Sequence, residues 1–411
     1  MINLNKYTYN YFLFLFSIIP LCIILGSAVS FANIVLIDLS FIILMIYKKN
    51  FYFLKNKTIL YLSILYIYLI FNSFISIDYS EGILRNLGFL RIIILFIAFN
   101  YFFYQKFFFK KMFYFWLLII LIVIFDVFIE FFYGKNLLGY FATNSSGKRI
   151  VSFFKDELIV GSFLYGFFLI LAGFFLNQKK KYRTHIYSLI VLFFISIIII
   201  TERSASIKAL IGLSIFFLLY KEINLKRKIL SFLFIFLIVF TFVSSFYNIN
   251  HRYTRQILNQ KQIYFDLYKS GFQVFENNKI FGVGNKNYRV ATCISEEIVN
   301  DPSQNKDDYM CTTHPHQIYL EFLSEHGLIG TIIVLLIFYK LIFSKIKKTI
   351  SEKNYLKIGS LIYLTLSFLP IIPSGAFFGS FTLTLFAINL SLFYASDKNM
   401  NIFKIEKFKG R

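Results

Sequence analysis

The sequence predicts an all-α polytopic membrane protein, with about twelve transmembrane helices and one long extramembrane loop containing short helices. Of its 411 residues, 58% are hydrophobic. The mean hydropathy is +0.66. Apolar runs of roughly 18 or more residues, enough to cross a hydrocarbon core, recur from end to end.

In chain order the expected spans are Tyr9 to Ser27, Phe31 to Tyr47, Ile59 to Ile77, Leu87 to Phe103, Met112 to Tyr133 and Leu158 to Leu176. Then come Ile186 to Ile200, Ile207 to Tyr220, Ile229 to Tyr247, Leu328 to Phe343, Leu356 to Ile372 and Ala376 to Tyr394. The first is too long for a signal-peptide core and lacks a small-residue cleavage site. Basic clusters fill alternate gaps: Lys48 to Lys57, Lys106 to Lys111, Lys179 to Arg183, Lys221 to Lys228, Lys345 to Lys357 and the tail from Lys398. The positive-inside rule makes these gaps and both termini cytoplasmic, and the long segment from Asn248 to Pro315 faces the other side. The implied organisation is N-terminal helices 1–125, a central region 126–330 that includes loop 248–315, C-terminal helices 331–396 and a basic tail 397–411.

A net charge of +22 does not indicate nucleic-acid binding, because the cations sit just beyond helix ends rather than on one soluble surface. They read as orientation signals that also contact anionic lipids. No Walker lysine, Cys-x-x-Cys pair, His-Glu-x-x-His or Gly-x-Ser-x-Gly occurs, so nucleotide, structural-zinc and serine-hydrolase chemistry lack support, and no cofactor or metal is expected. Cys293 and Cys311 share the outer segment, where an oxidising compartment favours a disulfide worth about 3 kcal/mol; two free thiols are the alternative.

Four groups of residues carry possible chemistry. In Cys311 to Gln317, Pro315 suits a first helical turn, which puts His316 at a helix N-terminus and Leu320, Leu323 and Gly327 along one face. The helix dipole disfavours imidazolium there, so His316 reads as a neutral general base. Interfacial polar roles for His314, His316 and His326, or a metal pair, are the alternatives, and the two-residue spacing is poor for a shared metal. Arg203, in the short turn Thr201-Glu202-Arg203-Ser204, runs against the charge rule; a guanidinium fork there suits a phosphate or pyrophosphate, and an anchor paired with Glu202 is the bland reading. Asp126 and Glu130 share a helix face inside the apolar region, with Arg149 in the connection that follows; they are either functional acids or partners of an arginine. Gly282-Val283-Gly284 is either a plain turn or a phosphate cradle, and residues Tyr264 to Phe275 read as an amphipathic helix along the membrane.

Taken together, these pieces resemble the O-antigen ligase and polymerase superfamily of bacterial membrane glycosyltransferases. The resemblance rests on Asp126 with Gly134 to Gly139, Phe154 with Asp156-Glu157 and Gly161-Ser162, Glu202-Arg203-Ser204, Gly282 to Tyr288, and His314-Pro315-His316 through Glu325-x-Gly327-x-x-Gly330. It implies transfer of a glycan from an undecaprenyl pyrophosphate carrier to an acceptor hydroxyl, on lipid A core or another glycan, at the periplasmic face of the inner membrane. Neither nucleotide sugar nor metal is implied. His316 and Glu325 would be catalytic, with Arg203, Arg149, Asp126, His314 and Gln317 contacting substrate. Gln317 stands where the family usually has asparagine. Tyr264 stands where members often carry an arginine, leaving Arg252, Arg255 and Arg289 as candidates for a second pyrophosphate ligand. Polymerase or protein-glycosylating activity, and from another class a transporter of lipid-linked sugar or anions, are the rival functions.

Overall fold

The structure, a computed structural model, describes residues 6–404 apart from 106–108, 143–148, 156, 179–182, 294–309 and 371; the side chains of 109, 183–185, 238, 242, 248 and 255–262 also lie outside the description. Within it the chain is 77% helix and has no strand. The helices are α1 (Lys6–Ser17), α2 (Ile19–Leu25), α3 (Ser27–Lys48), α4 (Lys57–Phe74), α5 (Tyr79–Leu87), α6 (Leu90–Tyr104), α7 (Phe109–Tyr133), α8 (Val160–Leu176) and α9 (Arg183–Ile200). They continue with α10 (Arg203–Leu219), α11 (Leu225–Ser245), α12 (Tyr247–Asn250), α13 (Gln256–Asn277), α14 (Tyr288–Cys293), α15 (Ile318–Leu341), α16 (Ile346–Ser351), α17 (Tyr355–Leu366) and α18 (Ser380–Ala395).

Six of these runs are long and apolar enough to cross a membrane: α3, α4, α5 with α6, α7, α11, and α15 with α16. The expected first span is not one straight helix. Pro20 near the start of α2 and Gly26 after it divide the segment, and α1 and α2 meet at a 43° bend; together they would make a seventh crossing.

Lipid tails are as apolar as the side chains, so close approach and buried polar links must hold such helices together. Gly173 of α8 lies against the backbone of Tyr355 and Gly359 of α17 against that of Leu169, so a methyl group at either would strike main chain. Phe12, Phe16, Phe99, Phe102 and Trp116 interlock α1, α6 and α7, with the Trp116 indole N–H donating to Phe16 O at 2.9 Å. At one end of the bundle the fully buried Lys357 ammonium pairs with Glu352 at 2.6 Å and with Asp397, and Asn401 donates to Asn100 O at 2.8 Å. The candidate residues gather at the other end.

The segment between α11 and α15 holds a π-helical turn, His251–Arg255, the longer-than-expected α13, and α14. A disulfide joins Cys293 at the end of α14 to Cys311, bringing the two sides of the undescribed stretch 294–309 together.

Candidate functional site

The histidine motif departs from the geometry expected of it. Pro315 is not in a helical turn and His316 is not on a helix: His316 has φ 55°, and α15 starts only at Ile318, with Gln317 as its N-cap. The Gln317 amide explains the displacement, because its oxygen accepts from Leu320 N–H at 2.6 Å while its nitrogen donates to Pro370 O at 2.8 Å. A side chain that serves as cap must precede the helix, which pushes Pro315 and His316 into the loop. Gly327 does not continue one helix face either. It adopts φ 62° and ψ −169° and breaks α15.

That break explains both the Glu-x-Gly-x-x-Gly pattern and the Gly-x-Gly pattern. Val283 and Gly284 N–H donate to Ser324 O and Glu325 O, each at 2.9 Å, while Leu328 and Ile329 N–H donate to Lys279 O and Ile280 O at 2.8 and 3.2 Å. The loop thus satisfies the backbone groups that the kink releases. The N–H groups of Gly282 and Asn287 also have protein acceptors, and that of Asn285 bonds Asn72 Oδ1 at 2.7 Å. A phosphate cradle needs free donors, so Gly282-Val283-Gly284 is a structural splice. Glu325 belongs to it: its carboxylate accepts from Tyr288 N–H at 3.4 Å. His326 is fully buried, its ring packed among Tyr68, Phe322 and Phe378.

His314 and His316 come together, with ring centres 4.1 Å apart. The His314 ring bonds Thr313 Oγ1 at 2.9 Å and Ser374 O at 3.2 Å, and Ser374 N–H donates to His316 O at 2.9 Å. Burial first, then the neighbouring His316, pushes His314 down to about 4 against that Ser374 bond. His316 is also lowered, by burial, with Ser374 pulling it back up. The neutrality expected from a helix dipole therefore arises from desolvation. The 370–378 connection completes this clamp, with Phe377 N–H donating to Glu321 Oε1 at 2.8 Å, and just before it Phe368 O accepts from Tyr319 O–H at 2.8 Å. Glu321 and Ser374 were not singled out from the sequence; an acid in a largely apolar helix was the available signal for Glu321.

Arginines form the second group. Arg149, Arg203 and Arg252 lie within electrostatic reach of one another, and both Arg149 and Arg252 feel Tyr264. Arg149 donates to Leu158 O at 3.1 Å. Burial, then Arg149 and Arg203, lowers Arg252 to about 10, so it stays charged near neutral pH. Glu202 precedes α10 and accepts Ser162 N–H at 3.1 Å and the Ser162 hydroxyl; Gly161 leaves room for it. Burial raises the Glu202 carboxyl, while Ser162 and Arg149 pull it down.

Other candidates lie apart from these two groups. Asp126 accepts Leu137 N–H at 2.8 Å and the Ser152 hydroxyl at 2.6 Å, and Glu130 accepts Ser152 N–H at 2.6 Å. These acids bind the chain's own loop, including Ser152 with its φ of 46°. Arg289 is exposed on α14. The Arg255 side chain and Asp156 lie outside the described residues.

One helix links the histidines to the arginines. Tyr264 on α13 faces the arginines, and Pro315 packs against Gly271 of the same helix. Seven residues of helix separate these points by about 10 Å. Among the described residues no cluster of His, Cys, Asp and Glu could hold a metal ion.

No curated protein matches the chain. Residues 188–335 match the family model Wzy_C, described as O-antigen ligase. Members of that family are glycosyltransferase-like enzymes, and the apolar helices agree with a membrane protein. The matched stretch runs from within α9 to within α15 and contains Arg203, Arg252 and the histidine motif, and over these residues the chain is similar to the O-antigen ligase family.

Proposed function

We propose that the protein is an O-antigen ligase-like glycosyltransferase that moves a glycan from undecaprenyl pyrophosphate to a hydroxyl of lipid A core, with its site on the periplasmic face of the inner membrane. The observation that supports this most is that one helix, α13, touches both groups: Tyr264 neighbours Arg149 and Arg252, and seven residues further on, about 10 Å along the helix, Gly271 packs on Pro315 beside the desolvated His316. Pyrophosphate needs several fixed positive charges as it leaves, and an attacking hydroxyl needs a neutral base. Arg203, Arg149 and Arg252 would hold the pyrophosphate, Arg252 filling the place of the arginine that Tyr264 replaces. His316 would take the hydroxyl proton as the oxygen attacks the anomeric carbon and the carbon–oxygen bond to pyrophosphate breaks. Attack from the face opposite the leaving group inverts that carbon. Glu325, held against Tyr288 N–H, would act by positioning the loop rather than by touching substrate. Polymerisation, with a second carrier-linked glycan as acceptor, uses the same chemistry.

In this reading the four shorter apolar helices α8, α9, α17 and α18, together with α10, also cross the membrane, completing about twelve spans with both termini cytoplasmic. The test is transfer by purified protein supplied with carrier-linked glycan and lipid A core, without nucleotide or added metal. Wild type should place glycan on the core, His316→Ala should place none while remaining folded, and Arg203→Lys should lose most activity because a point charge replaces a fork. Equal transfer by His316→Ala would remove the proposed base, and lengthened carrier-linked glycan would identify a polymerase.

A further inference from the structure

A cleft separate from the arginine and histidine groups opens between α3, α6, α18 and the segment that enters α8. Its polar wall consists of Ser27, Ser30, Arg91, Glu157, Ser380 and Thr384. Arg91 lies with its guanidinium carbon 4.6 Å over the Phe31 ring and donates to Ser380 Oγ at 3.4 Å. Beneath it Asp38, one turn along α3 from the cleft residue Ile34, is 4% exposed and has neither carboxylate oxygen hydrogen-bonded within the described structure. Asp38 and Arg91 act on each other electrostatically, and Arg85 also acts on Arg91.

These groups favour an uncharged ligand that both donates and accepts hydrogen bonds. Glu157 on the wall offsets the Arg91 charge and repels an anion, so a phosphate is disfavoured. Four hydroxyls, one guanidinium and one carboxylate beside the Phe31 and Phe381 rings suit the polar edge and apolar face of a sugar ring. Position adds a second argument. Glu157 and Ile159 flank Leu158, whose carbonyl Arg149 holds, while Ser380 follows the 370–378 connection that clamps His314 and His316. The cleft thus borders the supports of both the arginine group and the histidine group.

We infer that this cleft binds a sugar of the glycan acceptor, an assignment that rests on the glycosyl-transfer reading. The experiment is equilibrium binding of two lipid-free probes, core oligosaccharide and an O-antigen repeat oligosaccharide, to full-length protein in nanodiscs. One of the probes should bind wild type. Ser30→Phe, which fills the cleft, should weaken that binding at least about tenfold, and Glu157→Gln, an exposed and nearly isosteric change, should weaken it by about threefold or more. Failure of both probes to bind, or equal binding by wild type and both variants, overturns the inference. Cleft-dependent sugar binding by a protein that catalyses no transfer would instead sink the proposed function and overturn the acceptor role, leaving a sugar-binding cleft.

Discussion

His316 shows how burial can prepare a base. Its pKa lies below the ordinary 6.5 because the ring is desolvated, and its neighbour His314, held down at about 4, stays neutral as well. The sign follows directly: a base must be unprotonated to act, so kcat/KM rises with pH through the His316 pKa and falls only below it. The acid limb of the transfer profile should therefore fall below pH 6.5, and activity should persist where an exposed histidine would already be half protonated. A limb centred above 6.5 would mean that His316 is held charged, or that another group takes the proton. At this scale the sequence was partly legible. His316 and Arg203 stood out because a polar or charged side chain at the edge of apolar runs needs a reason. Arg252 could be named only among alternatives, since its meeting with Arg149 and Arg203 depends on the fold. Asp126 was legible as a buried acid, but its partners, Leu137 N–H and the Ser152 hydroxyl, are loop groups whose position no spacing rule supplies.

Among the elements, the kinked α15 matters most. The expectation that Gly327 continues one helix face with Leu320 and Leu323 fails because hydropathy and period cannot register one residue in left-handed geometry; the informative signal was the pair of glycine patterns, read separately although each serves the other. Gly282, with φ 70°, approaches the backbone at Glu325 and His326, and Gly327 approaches that of Ile280. Gly327→Ala adds left-handed strain and a backbone clash, which should cost at least about 2 kcal/mol. Because the same kink supports the Val283 and Gly284 hydrogen bonds, thermal midpoint and transfer should fall together. Gly375→Ala is the control: its added methyl would meet only Thr382 Oγ1 at 3.5 Å, and its effect should stay within about 0.5 kcal/mol. A Gly327→Ala protein as stable as wild type would show that the helix can straighten without loss.

For the whole molecule, sidedness is the consequence with the widest reach. Lys48 bonds the Tyr101 hydroxyl at 2.9 Å, Lys221 bonds Ser351 O at 3.1 Å and Lys357 pairs with Asp397, so the basic connections gather at the end opposite the arginine and histidine groups. In the proposed reading the positive-inside rule makes the lysine end cytoplasmic and the candidate-site end periplasmic. The native cysteines leave a quiet background for testing this, since Cys22 is buried and Cys293 is bonded to Cys311. Single cysteines replacing Lys279, exposed beside the Gly282 loop, and Lys353, exposed in the basic connection before α17, report one end each. With the outer membrane permeabilised, an impermeant thiol reagent should label Lys279→Cys in intact cells and Lys353→Cys only after lysis. Unreduced wild type should label at neither Cys293 nor Cys311. Labelling of Lys353→Cys in intact cells would place the three arginines on the cytoplasmic side, where a carrier-linked glycan already moved across the membrane could not reach them, and the proposed reaction would fail on topology alone.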